Sequence, residues 1–225
     1  MHIEPGIVDG AKMTFAYATA TAAAGYGAKR ALADIDRSSL ATFALRTVLA
    51  TIGTFVFFEV LPHFPVGVSE VHLILGTTLF LLLGTAPAAL GLALGLLVQG
   101  LFFAPTDLPM YAVNVTTLLV PLFAISALAR RAVPVTRAFV DLRYRDVLKL
   151  SLAYQGGVVA WVAFWAFYGQ GVTAGSLHAV STFGASYMLV VLIEPLVDLA
   201  VLAGAKALRG GPVAGIFADR LYRAA

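Results

Sequence analysis

The residues best suited to chemistry in this chain are the first six, Met1-His2-Ile3-Glu4-Pro5-Gly6. The α-amine of Met1, the backbone nitrogen of His2 and the His2 ring can close two small chelate rings on one metal ion. Amine, amide and imidazole nitrogens suit Cu(II), Ni(II) and related late first-row metals in square-planar or tetragonal geometry. Pro5-Gly6 favours a sharp turn, which would fold the amine back into a pocket. The alternative is a frayed terminus that carries a chance histidine.

A second candidate ligand closes the stretch Ser69-Glu70-Val71-His72, where a new apolar segment begins. A histidine that enters a membrane segment is costly unless it has a partner or a role. His72 could supply a fourth nitrogen to a metal held by Met1 and His2, or it could lie at headgroup level and bond a nearby carbonyl. Ser69 could hold the imidazole tautomer from outside the ligand set.

Two polar candidates lie further along the chain. Asn114 could orient a ligand histidine or bridge two helices, because an asparagine in lipid must be paired. Glu194 could pair with Arg46 or stand behind a metal site, since carboxylates within membrane segments are functional candidates. Three further residues are expected to lie at the outer interface rather than to act as ligands: Glu59, His63 and His178.

The composition sets the class of protein that must position these residues. The chain has 225 residues, 60% of them hydrophobic and 12% charged, whereas a soluble domain has about 45–50% apolar and about 25% charged residues. This composition predicts an all-α, multi-pass membrane bundle that forms a single domain over residues 1–225. The absence of cysteine excludes disulfides, thiolate sites and iron–sulfur clusters. No P-loop motif is present, so no nucleotide binds by that route, and no nucleic-acid partner is predicted.

Apolar runs between charged or turn-rich breaks predict the membrane segments. The run over residues 71–103 is ambiguous, because it could form one long tilted helix or two short ones. The start lacks the basic region of a signal peptide, so Met1 is expected to be the mature terminus. The predicted runs cover residues 10–28, 43–61, 71–103, 109–128, 148–168 and 177–202.

The distribution of basic residues resolves that ambiguity. The connections 62–70, 104–108 and 169–176 contain no Lys or Arg. The positive-inside rule places the basic groups in the cytoplasm, which requires residues 71–103 to cross twice, with a break at Gly84-Thr85-Ala86-Pro87. The charge distribution therefore predicts about seven segments, with the N-terminus outside and the C-terminus inside. The third segment is expected to be short or partly re-entrant. All four histidines are expected to lie near the outer face. The basic groups are Lys29, Arg30 and Arg37; Arg130, Arg131, Arg137, Arg143, Arg145 and Lys149; and Lys206, Arg209, Arg220 and Arg223.

The first segment carries small residues at every fourth position. Ala16, Ala20, Ala24 and Ala28 share this spacing. Small residues at that spacing let membrane helices approach closely. The stripe could dock another membrane subunit, or it could pack within this bundle.

Together these motifs resemble the CbiM/NikM family, the cobalt/nickel substrate-capture components of energy-coupling-factor ABC transporters. The M-H-I-x-x-G start matches the family, whereas Ile7-Val8 and Ala112-Val113 depart from its usual residues. The resemblance continues through Phe64-Pro65-Val66, Ser69-Glu70-Val71-His72, Leu82-Leu83-Gly84, Leu96-Leu97-Val98-Gln99-Gly100-Leu101, Asn114 and Glu194.

The resemblance implies a seven-helix capture subunit, not an enzyme, in a bacterial or archaeal cytoplasmic membrane. It implies that Met1 and His2 give three nitrogens, and His72 the fourth, to Co²⁺ or Ni²⁺ taken from outside. It also implies partners: a transmembrane coupling subunit, cytoplasmic ATPases and, in many systems, a small accessory membrane subunit. Two other functions stay open, namely an ATP-independent metal permease and a membrane protein that binds haem through two histidines.

Overall fold

A computed structural model describes residues 2–36 and 39–224 of the chain. These residues form a helical bundle with a small antiparallel β-sheet at one end. The bundle confirms the predicted membrane class, whereas the number of crossings and the orientation of the termini stay predictions. Within the described ranges, five helical stretches are long and apolar enough to cross a membrane: Leu40–Val60, Thr85–Phe102, Pro105–Ala132, Tyr144–Gln170 and Ala174–Ala207.

The described chain contains seven helices of eight or more residues and one short C-terminal helix. A π-helical turn, Val56–Val60, extends the second helix, and Pro105–Met110 forms a 3-10 turn before the fifth. The helices are α1 (Met13–Ile35), α2 (Leu40–Phe55), α3 (Gly76–Leu83), α4 (Thr85–Phe102), α5 (Tyr111–Ala132), α6 (Tyr144–Gln170), α7 (Ala174–Ala207) and α8 (Asp219–Tyr222).

The predicted break inside residues 71–103 is confirmed at Gly84. Its φ of 91° lies in the left-handed region that glycine adopts easily, and it separates α3 from α4. Helix α3 has eight residues, which gives a length of about 12 Å against a hydrocarbon core of about 30 Å. Every α3 residue except Leu82 is buried, so protein shields this helix, which is short as the sequence predicted.

Helix α4 packs closely on α2 through two glycines spaced four residues apart. A Cβ added at Gly91 would lie 2.2 Å from the Ala50 Cβ, and one added at Gly95 would lie 2.6 Å from the Thr54 Cβ. Close approach of backbones at small residues is the usual way in which helices associate in lipid. This contact fixes α4 in the middle of the bundle, between α2 and α5.

The β-sheet was not predicted, and the expectation that a helix begins near Val71 is wrong. Strands β1 (Phe64–Val66) and β2 (Ser69–Val71) pair in an antiparallel hairpin, and the turn between them contains Gly67 with a φ of 64°. Helix α3 starts only at Gly76, after Leu75, whose φ is 52°. The extended path persists because backbone groups of residues 2–4 pair with β2, as described next.

Candidate metal centre

The chain start lies beside strand β2 as a third, irregular strand. Ile3 forms a β-bridge with Ser69. The Glu70 amide donates to the His2 carbonyl at 2.8 Å, and the Glu4 amide donates to the Val68 carbonyl at 3.2 Å. After this pairing the chain turns at Gly6, with a φ of 88°, as Pro5-Gly6 predicted. The described part of the terminus is therefore ordered by backbone hydrogen bonds rather than frayed.

This pairing brings two histidines and a carboxylate to one point, which we call the histidine cluster (His2, Glu70 and His72). His2 Nδ1 lies 3.1 Å from His72 Nε2. Each of these two nitrogens lies 2.8 Å from Glu70 Oε2. Three ligand atoms that converge in this way could hold one metal ion. Glu70 and His72 reach the same point because residues two apart on an extended chain point to one side.

The histidine cluster is enclosed by apolar and aromatic side chains. His2 is 2% exposed and His72 is 1% exposed. The Phe58 ring contacts both imidazoles, with ring centroids 5.8 Å from His2 and 5.2 Å from His72. The His63 ring stacks on His72 at 4.7 Å. Three of the four histidines thus meet at one end of the bundle, whereas His178 is exposed near the start of α7.

Burial and mutual contact set the charge of the cluster. Burial lowers the pKa of the His2 and His72 imidazoles, which favours their neutral, metal-binding form. Burial alone would raise the pKa of the Glu70 carboxyl, but hydrogen bonds from both imidazoles outweigh it and hold that pKa well below its usual range. The cluster therefore offers two neutral nitrogens and one carboxylate, a combination suited to a divalent cation.

Ser69 and Asn114 hold the strand that carries His2. Ser69 Oγ donates to the His2 backbone carbonyl at 2.9 Å, and not to an imidazole as the sequence suggested. Asn114 Oδ1 accepts from the Ile3 amide at 2.7 Å, so this asparagine anchors the chain start rather than bridging two helices. Among the described residues, His2 Nε2 and Asn114 Nδ2 have no hydrogen-bond partner.

Glu194 stands behind the strand that carries His72. Its carboxylate accepts hydrogen bonds from the Ile74 amide and from the Gln155 side chain, and the Tyr187 hydroxyl donates to Gln155 at 2.6 Å. Glu194 therefore contacts the segment that follows His72, and its part in a metal site stays a prediction. Pairing with Arg46 is not observed, because Arg46 lies 3.5 Å from Asp34 instead.

The alanine stripe of α1 does not keep to one environment. Ala16 is buried and Ala20 is half-buried, whereas Ala24 and Ala28 are exposed. Four residues advance about 400° around a helix, so a period of four drifts by about 40° at each step. The stripe begins inside the bundle and ends on the free face of α1.

Glu70 is a candidate metal-site residue that the sequence did not single out. The signal was its spacing of two from His72, which becomes meaningful only once this stretch is known to be extended. Met1, the remaining predicted ligand, lies outside the described residues, as does Arg37 of the first basic group.

A helical membrane bundle with a buried histidine–carboxylate cluster defines a multi-pass membrane protein with a candidate metal-binding site. Residues 2–210 match the family model CbiM, cobalt uptake substrate-specific transmembrane region, and the chain belongs to this family. Its members are transporter components and not enzymes, so the chain acts in metal transport with partner subunits.

A solved structure shows the same fold. It is described as the crystal structure of a truncated transition metal transporter, with a TM-score of 0.57 and 16% sequence identity. The match covers 92% of this chain and 97% of that chain. No curated protein sequence matches significantly.

Proposed function

We propose that this chain captures Co²⁺ or Ni²⁺ from the extracytoplasmic side through an N-terminal chelate completed by His72. The carrying observation is the approach of His2 Nδ1 to within 3.1 Å of His72 Nε2, with Glu70 Oε2 touching both. The metal ligands are the Met1 amine, the backbone and ring nitrogens of His2, and the His72 ring. Membership of a cobalt-uptake family and a fold shared with a transition metal transporter support a metal substrate.

The two ring nitrogens that face each other, His2 Nδ1 and His72 Nε2, are those that this chelate requires. Nδ1 is the ring nitrogen that closes a six-membered chelate with the residue's own backbone nitrogen. With metal–nitrogen bonds of about 2.0–2.1 Å, adjacent ligands in a square plane lie about 2.9 Å apart, close to the observed separation. Nitrogen ligands bind Ni²⁺ more tightly than Co²⁺. Glu70 balances the charge of the bound cation from one side.

The same separation argues against a haem held by two histidines. Axial nitrogens on opposite faces of one iron lie about 4 Å apart, twice a bond of about 2.0 Å, with the porphyrin plane between them. His2 Nδ1 and His72 Nε2 are closer than that and lie within one enclosed cluster. An ATP-independent permease would use the same cluster, and it differs by retaining transport after deletion of the coupling subunits.

The proposed setting is an energy-coupling-factor importer in a bacterial or archaeal cytoplasmic membrane, with this chain as one capture domain over residues 1–225. The partners are a transmembrane coupling subunit, cytoplasmic ATPases and an accessory membrane subunit. The exposed half of the α1 stripe, Ala24 and Ala28, offers close helix contact to a membrane partner. The lack of a P-loop agrees with ATP hydrolysis on another chain.

Metal titration of the purified protein with Ni²⁺ and Co²⁺ tests the proposal. We expect one site per chain, and we expect His72→Ala to weaken binding by more than about 100-fold, because even outer partners of metal ligands cost roughly 10–100-fold. His178→Ala is the matched control, because it removes an exposed histidine at the same end of the bundle. Equal losses in both variants, or unchanged binding in His72→Ala, would refute the proposed site.

A further inference from the structure

A second cavity lies at the end of the bundle opposite the histidine cluster. Helices α4 and α5 connect the two ends, because Gly100 and Asn114 line a small space beside His2, whereas Thr85 and Arg130 line the second cavity. From Asn114 to Arg130 the helix rises about 24 Å. The positive-inside rule places this end at the cytoplasmic surface. The volume of the second cavity is about 710 Å³, within the range of about 300–1,000 Å³ typical of ligand pockets. We call it the arginine cavity.

The lining carries an excess of positive charge. Its five guanidinium groups face only two carboxylates, which leaves a formal charge of +3 on the described lining residues, five minus two. The carboxylates belong to Asp34, beside Arg46, and to Asp219. The guanidinium groups belong to Arg30, Arg46, Arg130, Arg220 and Arg223.

Neutral groups hold two of these arginines in place without cancelling their charge. Arg130 donates to the Ser126 hydroxyl at 2.7 Å and to the Tyr26 hydroxyl at 3.2 Å. Arg220 donates to the Pro134 and Val135 carbonyls. In addition, Arg30 Nε is buried and has no acceptor within the parts of the chain that the structure describes. Guanidinium groups oriented in this way are suited to phosphate, which accepts charge-assisted hydrogen bonds from their planar forks.

Most of the uncharged lining is apolar. Phe80, Ala86, Val133 and Phe139 line the cavity together with the arginines. A free phosphate would fill a small part of this volume and would gain nothing from those walls. An amphiphile with a phosphate headgroup would use both the charge and the apolar surface. Basic pockets between membrane helices on the cytoplasmic side bind the head groups of anionic phospholipids.

We infer that the arginine cavity binds the phosphate headgroup of an anionic phospholipid from the cytoplasmic leaflet. The site lies at the other end of the bundle from the metal, and it does not depend on which cation the protein captures. A bound lipid would neutralise the excess charge that now collects between α1, α5 and the C-terminal segment.

Lipid titration of delipidated protein, followed by native mass spectrometry, tests this inference. We expect one saturable phosphatidylglycerol adduct and weak binding of phosphatidylcholine. Arg130→Gln should weaken phosphatidylglycerol binding about fivefold, because one basic group near an anionic lipid contributes about that factor. Arg131→Gln is the matched control, since it removes the same charge from the next residue of α5, which does not line the cavity.

Two further arms make the outcome decisive. Arg223→Gln changes a second lining residue, which is exposed. It should weaken phosphatidylglycerol binding by the same factor, so the test still works if Arg130→Gln is poorly folded. Thermal unfolding in detergent reports whether each variant is folded. Competition by inorganic phosphate at equal concentration would retain a phosphate site but overturn the lipid as its source. Equal binding of both lipids, or equal losses in Arg130→Gln and Arg131→Gln, would overturn the site. If Arg130→Gln instead impairs co-purification with a partner and no lipid binds, an acidic partner segment is the occupant and the inference is wrong.

Discussion

The histidine cluster and the arginine cavity lie at opposite ends of one bundle and differ in size, enclosure and charge. The cluster holds three ligand atoms within 3.1 Å of one another, on residues fixed by backbone hydrogen bonds. The cavity spreads five cationic groups around about 710 Å³. A small cation requires converging lone pairs, so position matters most at the cluster. A large anion requires summed charge, so no single arginine should dominate at the cavity.

The sharpest way to break this comparison is to displace the chain start without touching a ligand. A Cβ at Gly169 would lie 1.8 Å from the Ile7 carbonyl oxygen, so Gly169→Ala must push the N-terminal segment away. We expect metal affinity to fall by about 100-fold or more, as for the loss of groups that orient ligands, while lipid binding at the cavity is unchanged. Metal titration and lipid titration on the same sample measure both.

Gly156→Ala is the control on the same helix, because its added Cβ meets nothing within 4 Å. It should leave metal affinity within about twofold, as a surface substitution away from special features has little effect. If Gly169→Ala also binds metal normally, the order of the N-terminal segment is irrelevant to the site.

A smaller effect is expected when the charge of the cluster is removed and its shape is kept. Glu70→Gln retains one oxygen beside the imidazoles but removes the carboxylate that contacts both. We expect metal affinity to fall roughly 10–100-fold, the range found for outer partners of metal ligands. Glu4→Gln removes a nearby half-buried carboxylate that does not contact either imidazole, and it should cost much less. Equal losses would mean that only the summed negative charge matters, as at the arginine cavity.

The pH dependence gives the mildest test. Burial lowers the pKa of His2 and His72 below the ordinary value of about 6.5, whereas a terminal amine titrates near about 7.7–8.0. Protons compete with the metal, so affinity falls as pH falls. Metal binding releases one proton from the amine and one from the His2 backbone amide, so affinity should fall by about tenfold per unit for each of these protons between about pH 7.5 and about pH 6.5, and the imidazoles should steepen the fall only below about pH 6.5.

Metal titrations from about pH 8 to about pH 5 measure this profile. A loss confined to the region below about pH 6 would remove the amine from the ligand set. An affinity that does not change with pH would exclude amine and imidazole ligands alike.

The sequence predicted the parts of this fold that depend on local signals. The break at Gly84 and the short third helix followed from turn residues and charge distribution, and the structure has both. The candidates His2 and His72 followed from ligand chemistry, and the structure brings them together. Whether they bind metal with Met1 stays a prediction.

The parts that the sequence did not predict depend on contacts between distant residues. Each strand of the hairpin has three residues, fewer than the four to eight over which alternation becomes a usable signal. Without the hairpin, Glu70 looked like a loop residue. The proximity of Arg46 to Asp34, rather than to Glu194, depends on how α1 and α2 meet, and no local pattern encodes that.

The most direct test of the account compares the protein with its native N-terminus to the same protein carrying one extra residue before Met1. Metal content and affinity are measured for both, with thermal unfolding in detergent as the check that both are folded. The account predicts about one Ni²⁺ or Co²⁺ per chain for the native form and little or none for the extended form, because the amine is then displaced from the chelate. Equal binding by both forms would contradict the terminal chelate and leave the histidine cluster as the whole site.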